Sequence, residues 1–314
     1  MLNFKKIVCL VVAGLVFMAS LQSVYAESAL EDKKAGGDFM GIRAADEELE
    51  LYGDEEPPAK SGAVRRVPWE DDIQFVKACE DNNTTIMLAA YRTVLRDPLP
   101  GEEENVHLAA GMLAGRVIKP GERFSQNGAI GPYIESRGFQ KGPTYIGSRL
   151  TTTIGGGVCK IASTLYNVTI LSNLEVVERY CHSMPVPYVP YGQDATVSYG
   201  SRDFKFRNNT PGPLLIWAQG IDNILYIAFY GQKEAPLVKW HHQTLNVQKA
   251  PKIYRTNSEL DEGTEKVVSE GMDGATVKSW VTIVADDGAE TTRNLGISYY
   301  KPMPYIIERN IKAP

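Results

Sequence analysis

Apolar positions along the chain change period several times, and each change marks a predicted element. Between Glu102 and Val117, the residues Val106, Ala109, Ala110, Leu113 and Val117 fall on one helical stripe, with acids in the first turn where the helix dipole favours them. That spacing predicts a helix. It gives way to the turn Lys119 to Ser125, with Pro120 and Gly121 at its centre. Ile86 to Leu95 has the apolar density of either a helix or a short strand, and periodicity leaves the two open. After Gly155-Gly156-Gly157, the residues Val158, Ile161, Leu165 and Val168 repeat at helical spacing, so a second helix opens just past the glycines. Five runs of strand length follow: Leu174 to Tyr180, Ala195 to Tyr199, Asp203 to Arg207, Leu214 to Gln219 and Leu225 to Tyr230. Gly, Pro, Asn and Asp separate them. From Val238 to Asn310 apolar and polar residues alternate, as in Thr276 to Val284, with turns at Asp273-Gly274 and Asp287-Gly288. The predicted class is α+β, with helices packed on a mostly antiparallel sheet and a small all-β domain after it.

The two ends of the pattern bear on where the protein works. Residues 1 to 26 begin MLNFKK, run apolar from Ile7 to Leu21 and reach the small-residue site Val24-Tyr25-Ala26. That is signal-peptide anatomy, and it predicts an exported chain. An uncleaved membrane anchor is the lesser alternative, because about fifteen apolar residues are short for a spanning helix. Residues 27 to 63 carry no sustained period, and seven acids fall within Asp46 to Glu56 before Pro57-Pro58. Such a stretch buries too little apolar area to order itself and reads as a solvated acidic linker. The remaining chain divides into a domain at 64–232 and the small β domain at 233–314.

Composition narrows the chemistry. With 314 residues, 43% hydrophobic and 23% charged, the chain is ordinary globular material. Its 33 Lys+Arg against 38 Asp+Glu give a formal charge of −5, which the loss of Lys5 and Lys6 with the signal segment takes to −7. A dedicated nucleic-acid binder would be basic. Neither GxxxxGK[ST], HExxH nor CxxC occurs, so nucleotide hydrolysis and the common zinc signatures lack support, and no cofactor or metal is expected. His241 and His242 are adjacent, which on a strand sends the rings to opposite faces.

Cys159 carries the sharpest chemical signal. It follows three glycines and precedes a helical run, so it occupies the first turn of a helix, where unsatisfied amides and the dipole favour thiolate over thiol. The bland reading is a small buried cysteine under a glycine turn. Cys159, Cys79 and Cys181 are the three cysteines beyond the signal segment, an odd number for an exported chain. Cys159 is the candidate free thiol, with Cys79 and Cys181 as potential disulfide partners. His182 stands at the end of a predicted strand and Asp194 at the start of the next, so nucleophile, base and orienter can meet as Cys159, His182 and Asp194. Asp203 is the fallback orienter. Gly156, Gly157, Lys160, Ser163 and Thr164 of the same stretch are the candidate substrate-binding residues.

These motifs carry a family resemblance. PGERFSQNGAIGPYIESRGF, GGGVCKIASTLYN, ERYCHSMPVPYVPYGQDATVSYGSRDFKFRN and NTPGPLLIWA resemble the bacterial VanW family, associated by name with glycopeptide-resistance clusters and found in exported envelope proteins. The resemblance spans roughly residues 85 to 230, and Cys159, His182, Asp194 and the flanking glycines match its pattern. Lys160 departs from it, standing where relatives mostly carry Gln. ELDEGTEKVVSEGMDGATVKSWVTIVADDGAE and YYKPMPYII resemble the wall-associated five-glycine domain over about residues 245 to 310, which implies attachment or targeting to the cell wall.

Two functions stay open. One is a cysteine-dependent acyl-transfer enzyme, a peptidase or transpeptidase acting on peptidoglycan peptide stems. The other is a non-catalytic peptidoglycan-binding or scaffold module of the envelope. The order Cys, His, Asp gives papain and transglutaminase as the fold analogy.

Overall fold

Two apolar runs, Leu214–Ile221 (β9) and Ile224–Gly231 (β10), pair antiparallel around a turn in which Asp222 takes a positive φ of 48°, a conformation aspartate tolerates. They form the middle of a five-stranded sheet in the computed structural model, which describes residues 60–95, 98–146 and 149–310. All of these belong to one compact unit, Gly41–Pro314. The predicted signal segment and almost all of the acidic linker lie outside the described residues.

The sheet also contains Gly62–Val64 (β1), Ile86–Val94 (β2) and Arg116–Ile118 (β3), in the order β1-β2-β10-β9-β3. Ile86 to Val94 is therefore a strand. It is hydrogen-bonded on both sides, to β1 and β10, and that pairing decides what periodicity left open. Gly62 and Ala63, assigned to the linker by composition, already belong to β1.

A short helix, Ile73–Asn82 (α1), covers one face of the sheet. Asp72 caps it by accepting from the amides of Gln74 and Phe75, and it buries Phe75 and Cys79 against Trp69, Ala90, Leu215 and Tyr230. The other face carries Glu102–Leu113 (α2) and Cys159–Leu171 (α4), with Gln126–Ile130 (α3) between them in sequence. The residues Ile161 to Ile170 of α4 are buried all the way round. A helix buried on every face belongs in a core, with its polar Ser163, Thr164 and Asn167 hydrogen-bonded inside it, and α4 lies against β2 and β10 on one side. On others it meets Glu175–Glu178 (β7) and Leu237–Gln248 (β11). A second sheet joins Arg123–Ser125 (β4), Lys205–Arg207 (β8) and β7 in the order β4-β8-β7, and Lys141–Ile146 (β5) pairs with Arg149–Ile154 (β6).

The C-terminal part is all β. Gly274–Val284 (β14) pairs antiparallel with β11 and with Glu290–Tyr300 (β15). Beyond them Tyr305–Arg309 (β16) lies between Lys252–Thr256 (β12), to which it is parallel, and Glu265–Ser269 (β13). Val238 and Trp240 of β11 and Val281 of β14 belong to the same hydrophobic cluster as α2 and α4, so one core runs through both parts. The α+β class holds, with few helices and many antiparallel strands.

Three expectations need correction. Ala195 to Tyr199 forms no ladder beyond one bridge between Ser198 and Arg202, because the Thr196 amide bonds the Tyr180 carbonyl and the Ala195 amide bonds Ser163 Oγ. His182 lies in the loop after β7 and Asp194 in the loop before β8, so neither stands on a strand. Cys79, Cys159 and Cys181 are all free thiols, with Cys79 buried under α1, so the Cys79–Cys181 pairing is absent.

Candidate active site

Cys159 is the first residue of α4, as the glycine turn and the period after it predict. The turn needs its glycines for two reasons. Gly155 and Gly157 take φ of 76° and 101°, in the left-handed region. A Cβ on Gly156 would stand 2.0 Å from the Gly142 carbonyl oxygen of β5, and one on Gly157 would stand 3.0 Å from Glu102 Cγ of α2. The backbone of α4 thus starts pressed against β5 and α2. Asn105 of α2 secures this approach by donating to the carbonyls of Gln140 and Gly156, each at 2.9 Å.

The structure brings Cys159, His182 and Asp194 together. Asp194 Oδ2 accepts from both the backbone amide and Nδ1 of His182, at 2.6 Å each. That leaves Nε2 for the Cys159 thiol, which is coupled to His182 by a side-chain hydrogen bond and by charge. The sulfur also lies 3.4 Å from Thr196 Oγ1 and 3.6 Å from the Val197 carbonyl oxygen. Asp194 Oδ1 accepts from Arg179 Nη2 at 3.0 Å and from the Tyr300 hydroxyl. Its carboxylate is 1% exposed and fully engaged.

Electrostatics follow from these contacts. Burial pushes the Cys159 thiol up, but the hydrogen bond and charge of His182, with the Thr196 hydroxyl, outweigh it and bring the thiol down to about 7. Burial pushes His182 down, but Asp194 and Cys159 outweigh it and raise the imidazole to about 9. For Asp194, burial is outweighed by His182 and Arg179, which hold the carboxyl below its ordinary range. The favoured state near neutrality is a thiolate beside an imidazolium, the pairing that activates a cysteine nucleophile.

Cys159 and His182 line a cleft of about 840 Å³. Gly156, Gly157 and Lys160 line it too, together with Tyr133 and Tyr188. The Lys160 ammonium is paired with Glu102 and lies 4.8 Å above the Tyr188 ring. Ser163 and Thr164 do not line the cleft. Both are fully buried. Ser163 Oγ donates to the Ala195 carbonyl and accepts its amide, while Thr164 Oγ1 bonds Thr93 Oγ1 and the Lys160 carbonyl. Their sequence position suggested contact with a ligand, but helical rotation turns them into the core. Asp203 has other work: it accepts from Ser125 Oγ and the Asn127 amide at the start of α3, and the carboxylate bonded to the His182 ring is that of Asp194. Thr196, Arg179 and Tyr300 were not picked out from sequence. A charged residue shortly before Cys181-His182 is a faint pointer to Arg179, and nothing local marks the other two.

Among the described residues, no group of three or more His, Cys, Asp or Glu is gathered to hold a metal ion. No helix among them is long and apolar enough to cross a membrane.

Comparison with known proteins gives two family matches. Residues 101–230 match the model of VanW like protein, and residues 241–312 match that of the G5 domain. Over 147 residues the chain is 35% identical to the uncharacterized protein YoaR of Bacillus subtilis, covering 47% of this chain and 48% of YoaR. Over 118 residues it is 36% identical to the vancomycin B-type resistance protein VanW of Enterococcus faecalis, covering 36% of this chain and 43% of that protein. The chain therefore spans less than half the length of these relatives. Among solved structures, the G5 domain of HP0197 is 16% identical with a TM-score of 0.14, covering 23% of this chain and 96% of that one. The IgA1 protease G5 domain is 23% identical with a TM-score of 0.17, covering 26% and 96%.

Proposed function

We propose that this chain, which carries a VanW-like domain followed by a G5 domain, is an exported cell-envelope protein whose VanW-like domain performs cysteine-dependent acyl transfer on peptidoglycan peptides. The observation that carries the reading is the continuous chain from Cys159 through His182 to Asp194, opening on a cleft of about 840 Å³. Cys159 attacks a substrate carbonyl and forms a thioester. His182, protonated, delivers its proton to the leaving amine and then takes one from the incoming water or amine that releases the acyl group. Asp194 holds the ring. Of the amides from Gly157 to Lys160, those of Val158 and Lys160 are bonded to the Gly155 and Gly157 carbonyls, so the oxyanion donors reduce to Gly157 and Cys159. Peptidase and transpeptidase differ only in whether water or an amine enters last.

The match to the vancomycin B-type resistance protein VanW and the attached G5 domain support a substrate in the wall. Incubating purified muropeptides with the protein and with Cys159→Ala tests this by mass spectrometry. The expected result is new cleaved or cross-linked peptides with the wild type alone. Identical products from both would assign the cleft to binding without chemistry.

A further inference from the structure

The carboxylate that orients His182 is itself held from outside the VanW-like domain. Tyr300, which donates to Asp194 Oδ1, is the last residue of β15 in the G5 domain. Its hydroxyl also accepts the Gly192 amide at 2.8 Å, so the group is fixed on both sides of the oxygen. Two residues earlier on the same strand face, Ser298 Oγ accepts from Arg179 Nη1 at 2.8 Å. Arg179 is the other side chain bonded to Asp194 Oδ1. Tyr299 between them is 47% exposed, whereas Tyr300 is 1% exposed. Burial, with the Asp194 charge, raises the phenol well above its usual range, so Tyr300 stays a donor.

We propose that Tyr300 is a positioning residue of the Cys159 site, so that the G5 domain is a working part of that site as well as an attachment device. Through Tyr300 and Ser298, β15 fixes the rotamer of Asp194, Asp194 fixes the imidazole, and the imidazole keeps the thiolate. This rests on the reading of Cys159 as an activated nucleophile, but its test reads the thiol and needs no turnover. The titratable groups facing Asp194 and Cys159 are His182, Arg179, Tyr166, Tyr188 and Tyr300, with Tyr133 on the cleft side.

The experiment is iodoacetamide alkylation of the full chain across pH, with modification at Cys159 quantified by peptide mass spectrometry. In the wild type the rate rises near 7 as the thiolate forms, with a second step near 9 as the imidazolium releases its proton. Tyr300→Phe is expected to move the first rise up by about half a unit or more and the second step down, which slows alkylation on the acid side roughly threefold. Ser298→Ala should shift both less, in the same directions, and carries the test should Tyr300→Phe fail to fold. Tyr299→Phe should leave the profile unchanged. If Asp194→Asn shifts the steps while folded Tyr300→Phe overlays the wild type, the positioning role is overturned and the site reading survives. A single ordinary thiol step near 9 in the wild type would overturn both.

Discussion

A thiol at about 7 beside an imidazole at about 9 sets the pH dependence expected of the proposed acyl transfer. Turnover by the proposed route needs the thiolate and the imidazolium together. Below about 7 the sulfur is protonated, and above about 9 the ring has lost the proton it must give the leaving amine. The expected profile of kcat/KM is a bell with limbs near those two values, and a rate still climbing past the upper limb would show that imidazolium plays no part. Asp194, with its carboxyl held low, stabilises the fold above the ordinary carboxylate range and loses that contribution as pH falls through its lowered value. At this scale the sequence was informative. Cys159 after the glycines, His182 after Cys181 and Asp194 in its motif all converge. Thr196 and Tyr300 do not show in the sequence, because a hydroxyl near a sulfur and a phenol 106 residues from its carboxylate leave no local pattern.

The element that aims the sulfur is the turn from Gly155 to Val158, and its precision depends on backbone meeting backbone. Gly156 faces the Gly142 carbonyl at a separation where a methyl group cannot fit, and the obstacle is main chain in β5 rather than a flexible side chain. Gly156→Ala is therefore expected to destabilise by about 1–3 kcal/mol, the ordinary cost of overpacking, and to displace the start of α4. Thermal unfolding would read the first effect. Slowed alkylation of Cys159 at neutral pH would read the second, and a variant with wild-type Tm and reactivity would contradict the close approach. Helices α2 and α4 were legible because their apolar residues repeat every third or fourth position. β2 was not, since a short apolar run suits either element until its partners β1 and β10 are known. The stretch from Ala195 to Tyr199 has the composition of a strand, yet Ser163 from α4 takes both the amide and the carbonyl of Ala195. Serine at a buried helix position gives no warning of that.

Across the whole molecule, the join between the two domains is a polar layer laid over a shared apolar core, and one histidine in it responds to acid. His242 of β11 is stacked near Trp240, with Nδ1 bonded to Ser279 Oγ at 2.9 Å and Nε2 to Gln193 Nε2 at 3.0 Å. Gln193 Nε2 can only donate, so His242 Nε2 accepts and Nδ1 carries the proton. Gln193 directly precedes Asp194, which places this contact one residue from the carboxylate that orients His182. Burial, then the charges of His241 and Arg179, lowers His242 from 6.5 to about 4. The folded state therefore resists a proton that the unfolded chain accepts, so stability is full above 6.5 and falls as pH drops toward about 4. The loss from this ring is on the order of 2–3 kcal/mol. Denaturant midpoints compared at neutral pH and near the lower value should fall more steeply for the wild type than for His242→Gln, which keeps a polar side chain but cannot take the proton. Equal falls in the two proteins would mean that His242 is free to titrate and does not lock the join.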